Sequence, residues 1–136
     1  MNESHGLQRQ GSRLGTILCA AIVLAACASM SDSVMPAKIA DGAMTNTAGM
    51  TLYTFDRDTA GSGKSVCNGP CIAIWPAFGA PADAKSSGDW SVASRDDGSR
   101  QWTYKGKPLY TFARDAKPGD KTGDGFNNNI WHVARP

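Results

Sequence analysis

Hydrophobic positions in this chain form one continuous run, followed by short segments that alternate with period two. The run extends from Leu14 to Ala26, behind a polar stretch that carries Arg9 and Arg13. Its length suits the apolar core of an export signal and falls short of the ~20 residues that span a bilayer. Beyond it, Leu52-Tyr53-Thr54-Phe55 has strand chemistry, with Tyr53 and Phe55 on one face and Leu52 and Thr54 on the other. Residues 90–94 and 100–104 flank Arg95-Asp96-Asp97-Gly98-Ser99, which predicts a hairpin. Lys105-Gly106-Lys107-Pro108 then turns the chain into a strand at Leu109, and Trp131 to Ala134 alternates as a last strand. Lys38-Ile39-Ala40 is expected to pair with the segment from Met50 to Phe55, across Asp41-Gly42 or Ala48-Gly49. One helical turn is expected over Cys71 to Trp75, with Pro70 at its first position. The predicted fold is mainly β: an antiparallel sandwich or small barrel of two similar halves, with at most one short helical turn. Trp75, Trp102, Trp131, Phe55, Phe112, Tyr53 and Tyr110 are its expected core.

Composition supports this picture. The chain has 136 residues, enough for one ordinary domain. It contains 15 Gly and a single Glu, Glu3, which disfavours a helical bundle. The net charge of +2 is too small for a nucleic-acid footprint, so no nucleic-acid partner is expected.

The apolar run ends in Leu24-Ala25-Ala26-Cys27, which resembles a bacterial lipobox. That resemblance implies lipidation of the Cys27 thiol and removal of residues 1–26 as a lipoprotein signal peptide. Residues 27–37 then read as a small, polar tether, and residues 38–136 as a single β domain. The competing reading is plain cleavage at Ala26-Cys27-Ala28, which satisfies the A-x-A rule. Under the lipobox reading the membrane is a partner through the anchor. In a Gram-negative host, Ala28 after the lipidated residue points to the outer membrane, facing the periplasm.

After export, Cys67 and Cys71 remain as an even pair in an oxidising compartment, which reads as a disulfide over the Asn68-Gly69-Pro70 turn. Two alternatives stand beside it. Soft thiolates with His132 suit Cu(I), with Met44 and Met50 as further soft ligands. A thiol-redox site is the other, although three residues separate the cysteines where redox motifs have two.

The strongest pattern is an internal repeat. Leu52-Tyr53-Thr54-Phe55-Asp56-Arg57-Asp58 recurs as Leu109-Tyr110-Thr111-Phe112-Ala113-Arg114-Asp115, six of seven residues matching at an offset of 57. Ile74-Trp75 recurs as Ile130-Trp131 at an offset of 56, and the repeats run over about 50–78 and 107–134. Tyr53, Phe55 and Asp58, then Tyr110, Phe112 and Asp115, form a Y-x-F-x-x-D motif twice, and Cys67-Asn68-Gly69-Pro70-Cys71 follows the first copy. In these features the chain resembles the bacterial secreted-repeat lipoproteins of unknown function. The resemblance implies an exported β module and no reaction. One departure is Ala77 after Trp75-Pro76, where a second proline is expected.

Asp58 and Asp115 are expected to end their strands by accepting N–H bonds from the following loops. Gly61-Ser62-Gly63-Lys64-Ser65 lacks the first glycine of a phosphate loop, since Asp58 stands there. Asp120 to Trp131 lacks the closing glutamate of a calcium loop. No catalytic residues and no cofactor are expected. The expected function is a membrane-anchored, non-enzymatic envelope module that meets an envelope protein or ligand. The alternative is a copper-binding or thiol-redox accessory protein using Cys67, Cys71 and His132.

Overall fold

The computed structural model describes residues 35–136, with Gly11 and Gly15 besides. The expected export signal, Cys27 and residues 27–34 of the expected tether lie outside the described residues. Asp32–Pro136 is a compact unit that carries every element below.

The first hairpin joins β1 (Lys38–Ala40) to β2 (Ala43–Thr45) in antiparallel register. The expected partner of β1 was the segment from Met50 to Phe55. Asp41 and Gly42 both take positive φ, 49° and 70°, and close a two-residue turn whose twist matches paired strands, so β1 folds back onto its immediate neighbour. Asn46 makes the next turn, its side-chain oxygen accepting the N–H groups of Ala48 and Met50 at 3.0 Å each. Thr51 then bridges back to Thr45.

β3 (Tyr53–Phe55) follows, then α1 (Pro70–Ile74), with proline where a helix has no use for an N–H. β4 (Trp90–Ser94), β5 (Arg100–Tyr104) and β6 (Lys107–Pro108) form a three-stranded antiparallel sheet. Its hairpin lies at the predicted bounds. A second short turn, α2 (Phe126–Asn129), precedes β7 (Trp131–Val133). Asn127, Asn128 and Asn129 all take positive φ there, which asparagine tolerates better than most residues. No helical periodicity marks that segment, so the sequence shows one helical turn where the described residues hold two. β7 pairs antiparallel with β3, and the fold is mainly β, with seven strands in three small sheets among the described residues.

A local two-fold relation organises these pieces. The Tyr53 N–H donates to the Tyr110 carbonyl at 2.8 Å, and the Tyr110 N–H donates back to the Tyr53 carbonyl at 3.0 Å. Equivalent bonds surround this centre. The Leu52 N–H donates to the Met44 carbonyl at 2.8 Å, as that of Leu109 does to Trp102 at 3.0 Å. The Ala134 N–H donates to Leu52 as that of Phe78 does to Leu109, both at 2.8 Å. The Asp56 N–H donates to Ile130 as that of Ala113 does to Ile74, both at 2.9 Å.

Tyr53 and Phe55 face one apolar cluster and Leu52 the other, as alternation requires. The first cluster holds Tyr53, Trp75, Tyr110, Phe112 and Trp131. The second holds Leu52, Leu109, Met44 and Trp90, a tryptophan absent from the expected core. Phe55 and Trp102, both expected inside, are only half-buried against these clusters.

Candidate functional site

The motif side chains converge on the two-fold centre. Trp75 and Trp131 stack face to face, with centroids 3.8 Å apart and planes 3° from parallel. Phe112 stacks on the outer face of Trp75 at 4.3 Å, and Phe55 on that of Trp131 at 4.2 Å. Tyr53 meets Trp75 edge-on at 5.3 Å, and Tyr110 meets Trp131 edge-on at 5.1 Å. Each repeat thus contributes one Tyr, one Phe and one Trp to a single four-ring stack with two tyrosine edges. Edge and offset contacts of this kind contribute about 0.5–1.5 kcal/mol per pair beyond area burial.

The polar ends of the motif exchange partners between repeats. The Tyr53 hydroxyl donates to Asp115 Oδ2 at 2.6 Å, and the Tyr110 hydroxyl donates to Asp58 Oδ2 at 2.5 Å. The other oxygen of each carboxylate holds its own loop. Asp58 Oδ1 accepts the Val66 N–H at 2.8 Å, and Asp115 Oδ1 accepts the Thr122 N–H at 3.0 Å. Capping by the two aspartates is legible in the sequence; their pairing with the opposite tyrosine is not. Ser65 adds a hydroxyl contact to Tyr110 at 2.6 Å, while the Gly123 N–H donates to the Tyr53 hydroxyl at 3.3 Å.

Burial raises the pKa of both phenols well above the ordinary tyrosine value, and the carboxylate that each one faces raises it further. The folded state therefore holds these protons more tightly than the unfolded chain. Stability from the two phenols is complete below the ordinary value of 10.0 and falls as pH rises beyond it. In a spectrophotometric alkaline titration, the phenolates of Tyr53 and Tyr110 should form together with unfolding. Their appearance near pH 10 in a folded domain would contradict this. Burial also raises Asp58, offset in part by the Tyr110 and Val66 bonds and by the charge of Arg95. This acts in the same direction: the contribution of Asp58 falls as pH rises above 3.8.

Arg95 leaves the hairpin turn and runs inward. It is buried, and its guanidinium donates to Gln101 Oε1 at 2.7 Å, to the Cys67 carbonyl at 2.5 Å and to Asn68 Oδ1 at 3.0 Å. The guanidinium fork suits several acceptors at once, but nothing in the turn pattern of the sequence marks it as buried. It ties the cysteine loop to β4 and β5.

Cys67 and Cys71 are joined as a disulfide, with Cα atoms 5.2 Å apart. Cys67 is fully buried, whereas Cys71 is only partly covered. Replacing both with alanine should lower stability by about 2 kcal/mol through loop-closure entropy, with the fold retained. Urea unfolding under oxidising conditions checks this, and an unchanged midpoint would contradict it.

His132 lies on β7, its Nε2 2.8 Å from Asp56 Oδ2. It borders a groove of about 290 Å³ together with Lys105, Lys107 and Arg135. Cys71 borders a different groove, of about 550 Å³. Of the three residues of the copper alternative, Cys71 and His132 thus border different grooves, Cys67 is buried, and the two thiols are bonded to each other. In the second loop, Asp120 accepts the N–H groups of Ala116 and Lys117 at 2.8 and 3.1 Å and pairs with the Lys117 ammonium at 2.6 Å. The Asp124 side chain accepts the Val133 N–H at 3.1 Å. Both carboxylates thus hold their own loop and strand.

The class defined by this geometry is a small, mainly β domain of two cross-braced repeats that carries the Cys67–Cys71 disulfide. Two stretches of the chain, residues 37–78 and 91–135, match the model of a family described as a secreted repeat of unknown function. The chain belongs to that family. No curated protein and no solved structure matches it. Among the described residues, no helix is long and apolar enough to cross a membrane.

Proposed function

We propose that this chain is a lipid-anchored, non-enzymatic module of the cell envelope, held to the membrane through Cys27 and meeting an envelope protein or ligand through its loops. The single observation that carries the non-enzymatic part is how the repeated motif is used. Both hydroxyls and all four carboxylate oxygens of Tyr53, Tyr110, Asp58 and Asp115 are engaged in bonds within the domain. The motif occurs twice because it builds the scaffold, and the loops between its copies differ in chemistry, where binding surfaces ordinarily lie. The anchoring part is supported by Leu24-Ala25-Ala26-Cys27 behind an apolar run with a basic flank. Several acyl chains on one cysteine give stable anchoring, at about 0.8 kcal/mol per buried CH₂.

Membrane fractionation with acyl-chain labelling tests the anchor. Cys27→Ala should abolish labelling and release the protein from membranes. A variant that labels and fractionates like its parent would overturn the anchoring. Thiol titration of the purified protein tests the copper and redox alternative: two free thiols with tight Cu(I) binding would restore it.

A further inference from the structure

The groove of about 550 Å³ straddles the two-fold relation. It is bordered by Trp75 with its counterpart Trp131, by Ile74 with Ile130, and by α1 opposite Phe126 of α2. Its volume falls within the range of small-molecule sites, about 300–1,000 Å³. Its border is mainly apolar, with Arg57 and Asn127 as the polar side chains. Val66, 57% exposed, and Ile74, 36% exposed, are two of the four large apolar side chains that stand in solvent among the described residues, and both lie here. Such clustering of exposed apolar surface beside a concavity marks a binding site more often than chance exposure does.

Charge identifies the occupant. Arg57 is the single charged residue bordering this groove, and no carboxylate borders it. Arg114, which corresponds to Arg57 in the second repeat, lies over the ring of Phe126 at 5.7 Å from its centroid. Among the described residues, neither guanidinium has a carboxylate within salt-bridge distance. One cation, Arg57, therefore borders an aromatic and aliphatic cleft, and its counterpart Arg114 lies over Phe126, a residue of the same border.

We propose that this cleft binds a flat, apolar organic anion, with its ring system between α1 and α2 and its acidic group directed to Arg57 or Arg114. The proposal gives the envelope module a ligand class and rests on that reading only for where the ligand is met, so a failure in the anchoring experiment leaves it standing, and the reverse.

The test uses the purified protein and two fluorescent probes: anilinonaphthalene sulfonate, which is flat, apolar and anionic, and its neutral analogue N-phenylnaphthylamine. The sulfonate should bind at one site per chain. Arg57→Gln and Arg114→Gln should each weaken it about five-fold, the scale of one exposed charge contact, and leave the neutral probe unchanged. Val66→Ser, at an exposed position that leaves the core intact, should weaken both probes. Lys107→Gln, on the other groove, should change neither. Absence of sulfonate binding to the folded protein, or binding insensitive to both arginine variants, would overturn the proposal.

Discussion

Alanine in place of Trp75 should lower the unfolding free energy by about 3–5 kcal/mol, the range for removing a buried large aromatic ring. Trp75 is 2% exposed and sits inside the four-ring stack. Its removal strips Trp131 of a partner at 3.8 Å and Phe112 of one at 4.3 Å, and it leaves the edge of Tyr53 facing a void. Gly123 lies close against Trp75 and Tyr53: a methyl group added there would come within 2.6 Å of the indole. Small domains hold about 5–15 kcal/mol in total, so the variant should be marginal at room temperature. Urea unfolding measures the effect. A loss below about 1 kcal/mol would mean that the stack is not a centre of packing.

The second large effect is expected from a single oxygen. Tyr110→Phe should cost about 2–3 kcal/mol, because it removes the partner of a partly buried carboxylate and leaves that carboxylate unsatisfied on one side. Asp58 Oδ2 loses its bond at 2.5 Å and Ser65 its contact at 2.6 Å, while the ring itself stays in place. The loss should shrink as pH falls through the carboxylate range, since a protonated Asp58 carries no charge to leave uncompensated. Denaturant unfolding of variant and parent at neutral and acid pH checks both statements. A loss that does not depend on pH would place the cost in packing.

Much of this fold was legible along the chain, and the illegible parts share a cause. The hairpin of β4 and β5, the faces of Leu52 and Tyr53 and the two-copy motif all follow from neighbours in sequence, where periodicity and turn chemistry operate. The pairing of Tyr53 with Asp115 does not. A repeat shows that two segments are alike, and it says nothing about which copy faces which. Sequence proximity favoured Asp58 as a cap for its own loop, and that bond is present through Oδ1. The second oxygen reaches across 52 positions to Tyr110, a distance invisible to local reading. Arg95 misled in the same way. A charged residue beside Asp96 and Asp97 reads as exposed turn, yet it turns inward because the carbonyl of Cys67 and the amide of Gln101 supply acceptors from distant segments. Trp90 escaped notice because a strand of five residues does not show which face is covered until Phe78 and Tyr104 close over it.

The central claim is that the two repeats form one domain by exchanging tyrosine–aspartate bonds about a local two-fold. A double-mutant cycle on Tyr53→Phe and Asp115→Asn, read by urea unfolding, tests it most directly. Residues that share a bond couple by about 0.5–3 kcal/mol, whereas independent sites add within about 0.5 kcal/mol. The exchange predicts coupling in that upper range for Tyr53 with Asp115, and additivity for Tyr53 with Asp58 of its own repeat. Additivity in the first pair together with coupling in the second would contradict it.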